Sequence, residues 1–367
     1  MHVRWLRLVA FRNHASLSFA PDPGLNVLVG ANGHGKTSLL EAFHVILTGR
    51  SFRTARLREC VAWGASEARL SAGVERAGQS QEGRLVLSPR PDGGLATEGA
   101  RVRWARAVSF SAADLGLLTG FPSVRRAYLD GVAAKLAPAH GETCRRYRLV
   151  LHHRGRLLTR LAGRADAARL LTPWDEQAAA LGSEIVHRRL ATLEALRNDA
   201  REVWGALAPD GRTLELAYAA GVAPGPDPEG TRERLLAALA AGRGQELGHG
   251  TTPVGPHRDD LLVRLDGVDA RTYASRGEQR LLALALRLAE AGPVRRESGS
   301  APVLLLDDLL SELDLGARGR VLTWLAGQGQ VVFSATDGAG PTGIGVTWEV
   351  RRGGVAGMDA GLVGSAA

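Results

Sequence analysis

Residues 27–42 read VLVGANGHGKTSLLEA. An apolar run enters a turn with three glycines and leaves it in apolar residues at helical spacing, a strand–loop–helix unit. Within it, Gly30 to Thr37 match G-x-x-x-x-G-K-[ST] in full. Glycines let backbone N–H groups turn inward around a β-phosphate, at the positive end of the helix that follows. The expected nucleotide-binding residues are therefore Gly30, Ala31, Asn32, Gly33, His34, Gly35, Lys36, Thr37 and Ser38. Lys36 would supply charge to the β/γ-phosphates, and Thr37 an oxygen ligand for Mg²⁺. Lys36 and Lys135 are the only lysines among 46 basic residues. Arginine replaces lysine almost everywhere else, but a planar guanidinium cannot stand in for a compact ammonium inside a phosphate loop.

At 367 residues the chain exceeds one ordinary core, which predicts two domains or one domain with a large insertion. Its 45% apolar and 23% charged residues are those of a soluble globular protein. No apolar run approaches the ~18 residues of a membrane span. The opening MHVRWLRLVAFRNH carries charge every few residues, unlike a signal peptide. Cys60 and Cys144 offer neither a disulfide framework nor metal-ligand spacing. A cytoplasmic setting without membrane contact is expected. The net charge is +8 and the pI about 10.3, and the excess is local: residues 101–170 hold 14 Lys+Arg against 4 Asp+Glu. Such a patch is the footprint of a polyanion-binding surface, nucleic acid first, with a merely solvated arginine face as the alternative.

The fold class expected is α/β. VRWLRLVAFRN and LSF alternate as half-buried strands, and LNVLVG reads as a strand buried on both faces. From about 120 to 250 the chain is rich in Ala, Leu, Arg and Glu, with helices through WDEQAAALGSEIVHRRLATLEALRNDAREVWGAL and TRERLLAALAAG. APDGRTLELAYAAGVAPGPDPEG between them reads as broken, and the terminal GGVAGMDAGLVGSAA as a frayed tail. This organisation predicts one unit from 1–120 plus 250–367 and a helical insertion over 121–249. In VLLLDDLLSELD (303–314) a buried strand ends in Asp307, at the edge where ligands of parallel sheets sit. Asp307 is the candidate to orient the Mg²⁺ shell and Asp308 to polarise an attacking water.

YASRGEQRLLALALRLAE (273–290) resembles the signature motif of ABC-type ATPases in its SMC and RecF-like form. DDLLSELD resembles that family's Walker B and D-loop, with Asp307, Asp308, Ser311 and Asp314 in the matching places. Ser275 and Glu278 equally fit a capping box, S-x-x-E before an apolar run, and both readings can hold together. The resemblance implies an ABC-type ATPase head with an inserted α-helical arm. It also implies that Ser275, Gly277, Glu278 and Gln279 contact ATP bound by the phosphate loop of a second copy, so that ATP drives homodimerisation.

Leu6 to Asn13 (L-x-L-x-x-F-R-N), TGRSFRT (48–54), GFPSVRRAYLD (120–130) and VGPHRDDL (254–261) resemble the RecF family of bacterial recombination mediators. That resemblance covers nearly the whole chain. It implies weak DNA-dependent ATPase activity and ATP-dependent binding to double-stranded and gapped DNA. It also implies a role in loading RecA in concert with RecR and RecO. An insertion of about 130 residues reaches at most roughly 100 Å folded back on itself, too short for a chromosome-tethering SMC arm.

Asp308 stands where transporters commonly carry Glu, and a shift of ~1 Å in such a group can cost of order 100-fold in rate. Slow turnover is therefore expected, with Lys36 and Asp308 as the catalytic pair. VVFSATDG lacks a switch histidine, and Thr336 or Asp337 takes its place in the order of motifs. Ser111 or Asp114 in FSAADL is the Q-loop expectation. Arg50, Arg53 and Arg56, together with Arg125 and Arg126, are the expected DNA contacts. The competing functions are the ATPase subunit of an ABC transporter and a non-hydrolytic ATP-gated DNA clamp. A small-molecule P-loop kinase has no use for SRGEQ.

Overall fold

Alternating apolar and charged residues form strand β1 (His2–Phe11), which buries Val3, Leu6, Leu8 and Phe11 and exposes Arg4 and Arg7 between them. In the computed structural model, residues 1–208, 210–310, 313–335, 345–352 and 354–357 are described. The chain forms two units. The first comprises Met1–Leu115, Glu202–Gly211 and the described residues from Arg276 onward; the second comprises Gly116–Arg201 and Arg212–Ser275.

In the first unit, β1 is followed by β2 (His14–Phe19), β3 (Leu25–Val29) and helix α1 (Lys36–Thr48). Then come β4 (Ala68–Arg76), β5 (Gln79–Pro89), β6 (Leu95–Ala100) and β7 (Ala107–Phe110). The second unit contributes α2 (Gly116–Thr119), α3 (Pro122–Leu136), α4 (Ala139–Leu161), most of α5 (Ala167–Leu207) and β8 (Leu214–Ala219). It continues through α6 (Pro228–His249), β9 (Asp260–Leu265), β10 (Val268–Asp269) and α7 (Ala270–Tyr273). The first unit resumes with α8 (Arg276–Ala289), α9 (Ala291–Ser298), β11 (Val303–Leu306), α10 (Leu315–Ala326), β12 (Val331–Ser334), β13 (Val346–Arg351) and β14 (Gly354–Gly357).

Two sheets enclose α1 in the first unit. One is antiparallel, ordered β2-β1-β4-β5-β6; the other is ordered β14-β13-β3-β12-β11-β7, parallel from β13 to β7. Helix α1 packs on β12, β11 and β7 of the second sheet and on β1, β4 and β5 of the first. A helix covered on both sides must be apolar nearly all round. Accordingly Leu39, Leu40, Phe43, Val45 and Ile46 are all buried. Gln330 stitches the sheets together: its Oε1 accepts from Val3 N at 2.7 Å, and its Nε2 donates to Val3 O at 2.9 Å.

Helices α4, α5 and α6 of the second unit share a core of Tyr147, Val150, Ala178, Leu181, Ile185 and Leu239. A charge is buried beside it. Arg154, 0% exposed, donates to Asp175 at 2.8 Å, to Glu246 at 2.7 Å and to Thr252 Oγ1 at 2.6 Å.

The structure moves the sequence-based boundaries. The insertion begins at Gly116 and extends to Ser275, while the end of α5 counts with the first unit. LLVRLDG therefore lies in the helical unit, because β9 pairs antiparallel with β8 from Leu214↔Leu265 to Ala219↔Asp260. Strand β8 lies in the stretch expected to be broken; its partner is remote in sequence, so local Pro/Gly density masked it. Part of the expected frayed tail is also a strand, since β14 pairs with β13 from Trp348↔Gly357 to Arg351↔Gly354.

Replacing Arg154 by Met leaves the Asp175 and Glu246 carboxylates buried without their shared counter-charge. The expected loss is about 3–5 kcal/mol of unfolding free energy, read from urea denaturation. A loss below about 1 kcal/mol would show that the cluster is not closed in solution.

Candidate functional site

The phosphate loop joins β3 to α1, and its three glycines, Gly30, Gly33 and Gly35, all take positive φ, with close neighbours around Gly30 and Gly35. Gly35 caps α1 with φ 103°, and a Cβ there would fall 2.6 Å from the His14 ring. His14, 0% exposed, lies under the loop with Nε2 3.1 Å from Gly35 O. Asn13 Nδ2 donates to Gly33 O at 3.2 Å. No side chain caps α1, so its first N–H groups and the helix dipole are directed at an incoming anion. The Lys36 ammonium donates to the carbonyls of Gly30 and Ala31 within the loop.

The strand-end carboxylate meets this loop from 270 residues away. Thr37 Oγ1 donates to Asp307 Oδ1 at 2.8 Å. Ser334 Oγ, at the end of the adjacent parallel strand β12, donates to the same oxygen at 2.8 Å and accepts from Asp308 N at 2.8 Å. Arg280 on α8 donates to Asp308 O at 3.1 Å. Asp308 itself holds φ 48°, a left-handed conformation that costs a non-glycine residue roughly 1–2 kcal/mol. Strained backbone persists where surrounding contacts over-determine it, which is common at functional sites. Ser334 was not anticipated from sequence; its only signal is a hydroxyl at the end of an apolar run, VVFS.

A cleft of about 970 Å³ is lined by Asn32, Gly33, Gly35, Lys36, Thr37 and Ser38 of the loop and by Asp307, Asp308 and Ser334. Of the other loop residues, Gly30 and Ala31 turn their carbonyls to Lys36, and His34 Nδ1 lies 3.3 Å from Val350 O. The Thr37 hydroxyl, the Asp307 carboxylate and the Ser334 hydroxyl form an all-oxygen donor set. That chemistry fits a hard cation such as Mg²⁺.

A second carboxylate braces the cleft, and sequence inspection missed it because it sits in the middle of α1. Glu41, 0% exposed, accepts from Arg12 at 2.8 and 2.7 Å, from Ser51 at 2.5 Å and from Arg53 at 3.3 Å. Burial alone would raise its pKa, but the donors Arg12 and Ser51 and the charges of Arg12 and Arg53 hold it below the ordinary value. Burial and the nearby Glu41 push the Cys60 thiol up to about 12, so it stays protonated. TGRSFRT thus owes its Ser51 and Arg53 to one buried anion.

Ser275 immediately precedes α8, and Gly277, Glu278 and Gln279 form its first turn. Ser275 and Gly277 are exposed, and a Cβ at Gly277 would meet nothing within 4 Å. Gly277, Glu278 and Gln279 are not part of the cleft lining in their own unit. Ser311, Thr336 and Asp337 lie outside the described residues. In FSAADL, Asp114 is consumed internally, accepting from Ser111 N at 2.7 Å and from Arg287 at 2.6 and 2.9 Å; it is Ala112 that lines the cleft.

The arginines expected to contact DNA separate into three groups. Arg50 and Arg56 are exposed. Arg53 lines the cleft and pairs with Glu41. Arg125 is corrected outright: it is 1% exposed, grips Asp260 at 2.7 and 2.8 Å and donates to Gly120 O at 2.9 Å. A guanidinium so enclosed cannot reach a phosphate. Arg126 is half-buried and donates to Asp259 O at 2.8 Å, so it too has an internal role.

His14 gives the site a pH signature. Its Nε2 must carry the proton to bond Gly35 O, and its buried Nδ1 has no hydrogen-bond partner. Burial therefore lowers its pKa below the ordinary 6.5. The unfolded chain takes the proton first, so stability is fully present above pH 6.5 and falls as pH drops from 6.5 toward the depressed folded value. The thermal midpoint should decline between pH 7 and 5.5. His14→Gln, which keeps an N–H for Gly35 O without the titration, should flatten that decline; an unchanged slope would assign it elsewhere.

A family model described as an AAA domain matches residues 6–81. A DNA replication and repair protein RecF of Synechococcus sp. (strain JA-3-3Ab) is 39% identical over 350 residues, 92% of this chain and 91% of its own. One from Chloroflexus aurantiacus is 38% identical over 369 residues, 92% and 94% of the two chains. Among solved structures, the recombination mediator protein RecF-ATP in the RecFOR pathway superimposes with a TM-score of 0.83 at 28% identity, over 97% of each chain. An Smc head bound to the C-winged helix domain of ScpA gives a TM-score of 0.56 at 16% identity over 98% of each chain, a likeness of fold alone. Identity near two residues in five, sustained across nine-tenths of both chains, spans the loop, the strand-end carboxylates and the insertion together: this chain belongs to the RecF family.

Proposed function

We propose that this protein is an ATP-dependent DNA-binding ATPase of recombinational repair, in which nucleotide brings two copies together on DNA and slow, DNA-stimulated hydrolysis releases them. The observation that carries this is the contact between Thr37 and Asp307, which joins the phosphate loop to the strand-end carboxylates in one cleft. The loop N–H groups and Lys36 hold the phosphates. Thr37 and Asp307 are the residues that would hold Mg²⁺, which when bound neutralises phosphate charge. Asp308 orients and polarises the attacking water. Its carboxylate is one methylene shorter than Glu, consistent with a slow step. Its left-handed backbone is a conformation that Asn also tolerates, so Asp308→Asn removes the charge without removing the fold.

The exposed Ser275 and Gly277 are suited to complete the site of a second copy. The functional setting we propose is a RecF-type role at gapped or single-strand/duplex junctions in the cytoplasm, with RecR and RecO as partners and RecA loading as the outcome; relatives named for DNA replication and repair and for the RecFOR pathway support it. No described helix is long and apolar enough to cross a membrane. Residues 101–170 are strongly basic, which suits a polyanion such as DNA better than the membrane partner of a transporter ATPase.

With Arg125 and Arg126 engaged internally, α4 is the better DNA surface of the helical unit. Arg145, Arg148, His152, Arg156 and Arg160 recur every three or four residues and are all exposed. That spacing places them on one face of the helix. Arg50 and Arg56 supply exposed charge in the first unit.

Light scattering tests the nucleotide step. ATP with Mg²⁺, but not ADP, should double the mass of the wild type, while Ser275→Arg should bind ATP and remain monomeric. A wild type that stays monomeric at saturating ATP would remove the trans arrangement. DNA binding is tested by salt titration. Reversing Arg148 and Arg156 to Glu should make the log K against log salt slope shallower by about 2, near 0.9 for each phosphate that is no longer neutralised. An unchanged slope would exclude α4.

A further inference from the structure

Trp63 is the most exposed large apolar side chain among the described residues, at 104%, and it lines the nucleotide cleft. Its exposure is built by the backbone. Ala65 N donates to Ala62 O at 3.1 Å, closing a turn in which Gly64 takes φ 77° and Trp63 occupies the corner. The turn stands on a firm base. Ala62 N donates to Ala10 O at 2.9 Å, Arg12 N donates to Cys60 O at 2.8 Å, and Val61 bridges to Phe11.

An indole carries a large apolar face that favours burial. Holding one fully in solvent on a braced turn gives the free protein no packing. The remaining question is what covers it. Lys36, Thr37, Asp307 and Asp308 supply the cleft's charged and hydroxyl groups, suited to a polyphosphate and its cation. Val61, Ala62 and Trp63 line the same cleft with consecutive apolar residues. Asn13, which contacts the loop at Gly33, follows directly on Arg12, whose guanidinium donates to Glu59 O. The apolar stretch is therefore tied to the loop through residues 12 and 13. A nucleotide held by its phosphates has one further part with a flat apolar face, its base.

We propose that Trp63 is the base platform of this site, stacking its indole on the purine of the nucleotide whose phosphates the loop holds. The assignment rests on the nucleotide-binding role proposed above and adds to it the element that distinguishes a purine nucleotide from a bare polyphosphate. Lys36 and its neighbours cannot make that distinction, because they contact only phosphate. The position is at the surface, so its replacement should not disturb folding.

Calorimetric titration of the full-length protein with ATP and with inorganic tripolyphosphate, each with Mg²⁺, tests the idea. Base–aromatic stacking of about 1–3 kcal/mol corresponds to about 5- to 150-fold in affinity. Trp63→Ala should weaken ATP by a factor in that range and leave tripolyphosphate unchanged, and Trp63→Phe should restore most of the loss. Lys36→Ala should weaken both ligands. If Trp63→Ala affects both equally, or neither, the platform is overturned while the phosphate site stands. Unchanged ATP affinity with loss of ATP-driven mass doubling would make Trp63 a contact to the second copy and overturn the proposal. A wild type that binds neither ligand would overturn the nucleotide site itself, and the platform with it.

Discussion

A single carboxylate oxygen, Asp307 Oδ1, accepts hydrogen bonds from the hydroxyls of Thr37 and Ser334 and thereby joins three segments far apart in sequence. The contact is possible because β3, β12 and β11 lie side by side and run in the same direction. Parallel strands bring their carboxyl ends to one edge, so a loop leaving β3 meets the acid ending β11 and the serine ending β12. Each strand is an apolar run buried on both faces, which fixes its place in the middle of the sheet. Without that sheet, the glycine loop would stand apart from the acids that end β11.

Helix α1 extends the same order outward. It starts at the phosphate loop and ends between two sheets, so its polar residues must find partners inside. Glu41 is the instructive case: a buried carboxylate is tolerable only when its charge is matched. Arg12, Ser51 and Arg53 match it, and in doing so set the cleft wall in register with the loop. The motif residues of TGRSFRT and of the entry strand are therefore linked by one anion rather than by separate tasks.

The helical unit is organised by buried arginines in a similar way. VGPHRDDL supplies His257, whose ring nitrogens face Tyr147 OH and Thr252 O at 2.9 Å each, and Asp259, which accepts from Tyr218 at 2.6 Å. Asp260 accepts from Arg125 and from Arg271 on α7, four residues before Ser275. Arg189 grips Asp130 at 2.8 Å through two nitrogens. Burial would raise that carboxyl, but Arg189 and His140 bring it down to about 2. The basic composition thus divides into internal clamps and an exposed face on α4.

The sequence by itself determined the α/β class, the glycine loop between strand and helix, the strand-end acids, the helix that follows Ser275 and the presence of a helical insertion. Each is carried by local pattern: glycine spacing, apolar periodicity, or a fixed offset between motif residues. Tertiary structure alone decided what long-range pairing controls. It placed β9 with β8 in the helical unit, made a strand of residues 354–357, and assigned Ser334 and Glu41 to the site. It also sorted the arginines. Arg125 and Arg148 are the same residue type in the same basic stretch, yet one is enclosed around Asp260 and the other faces solvent. A one-dimensional pattern records charge, but whether that charge meets water or a buried carboxylate depends on a partner 135 residues away.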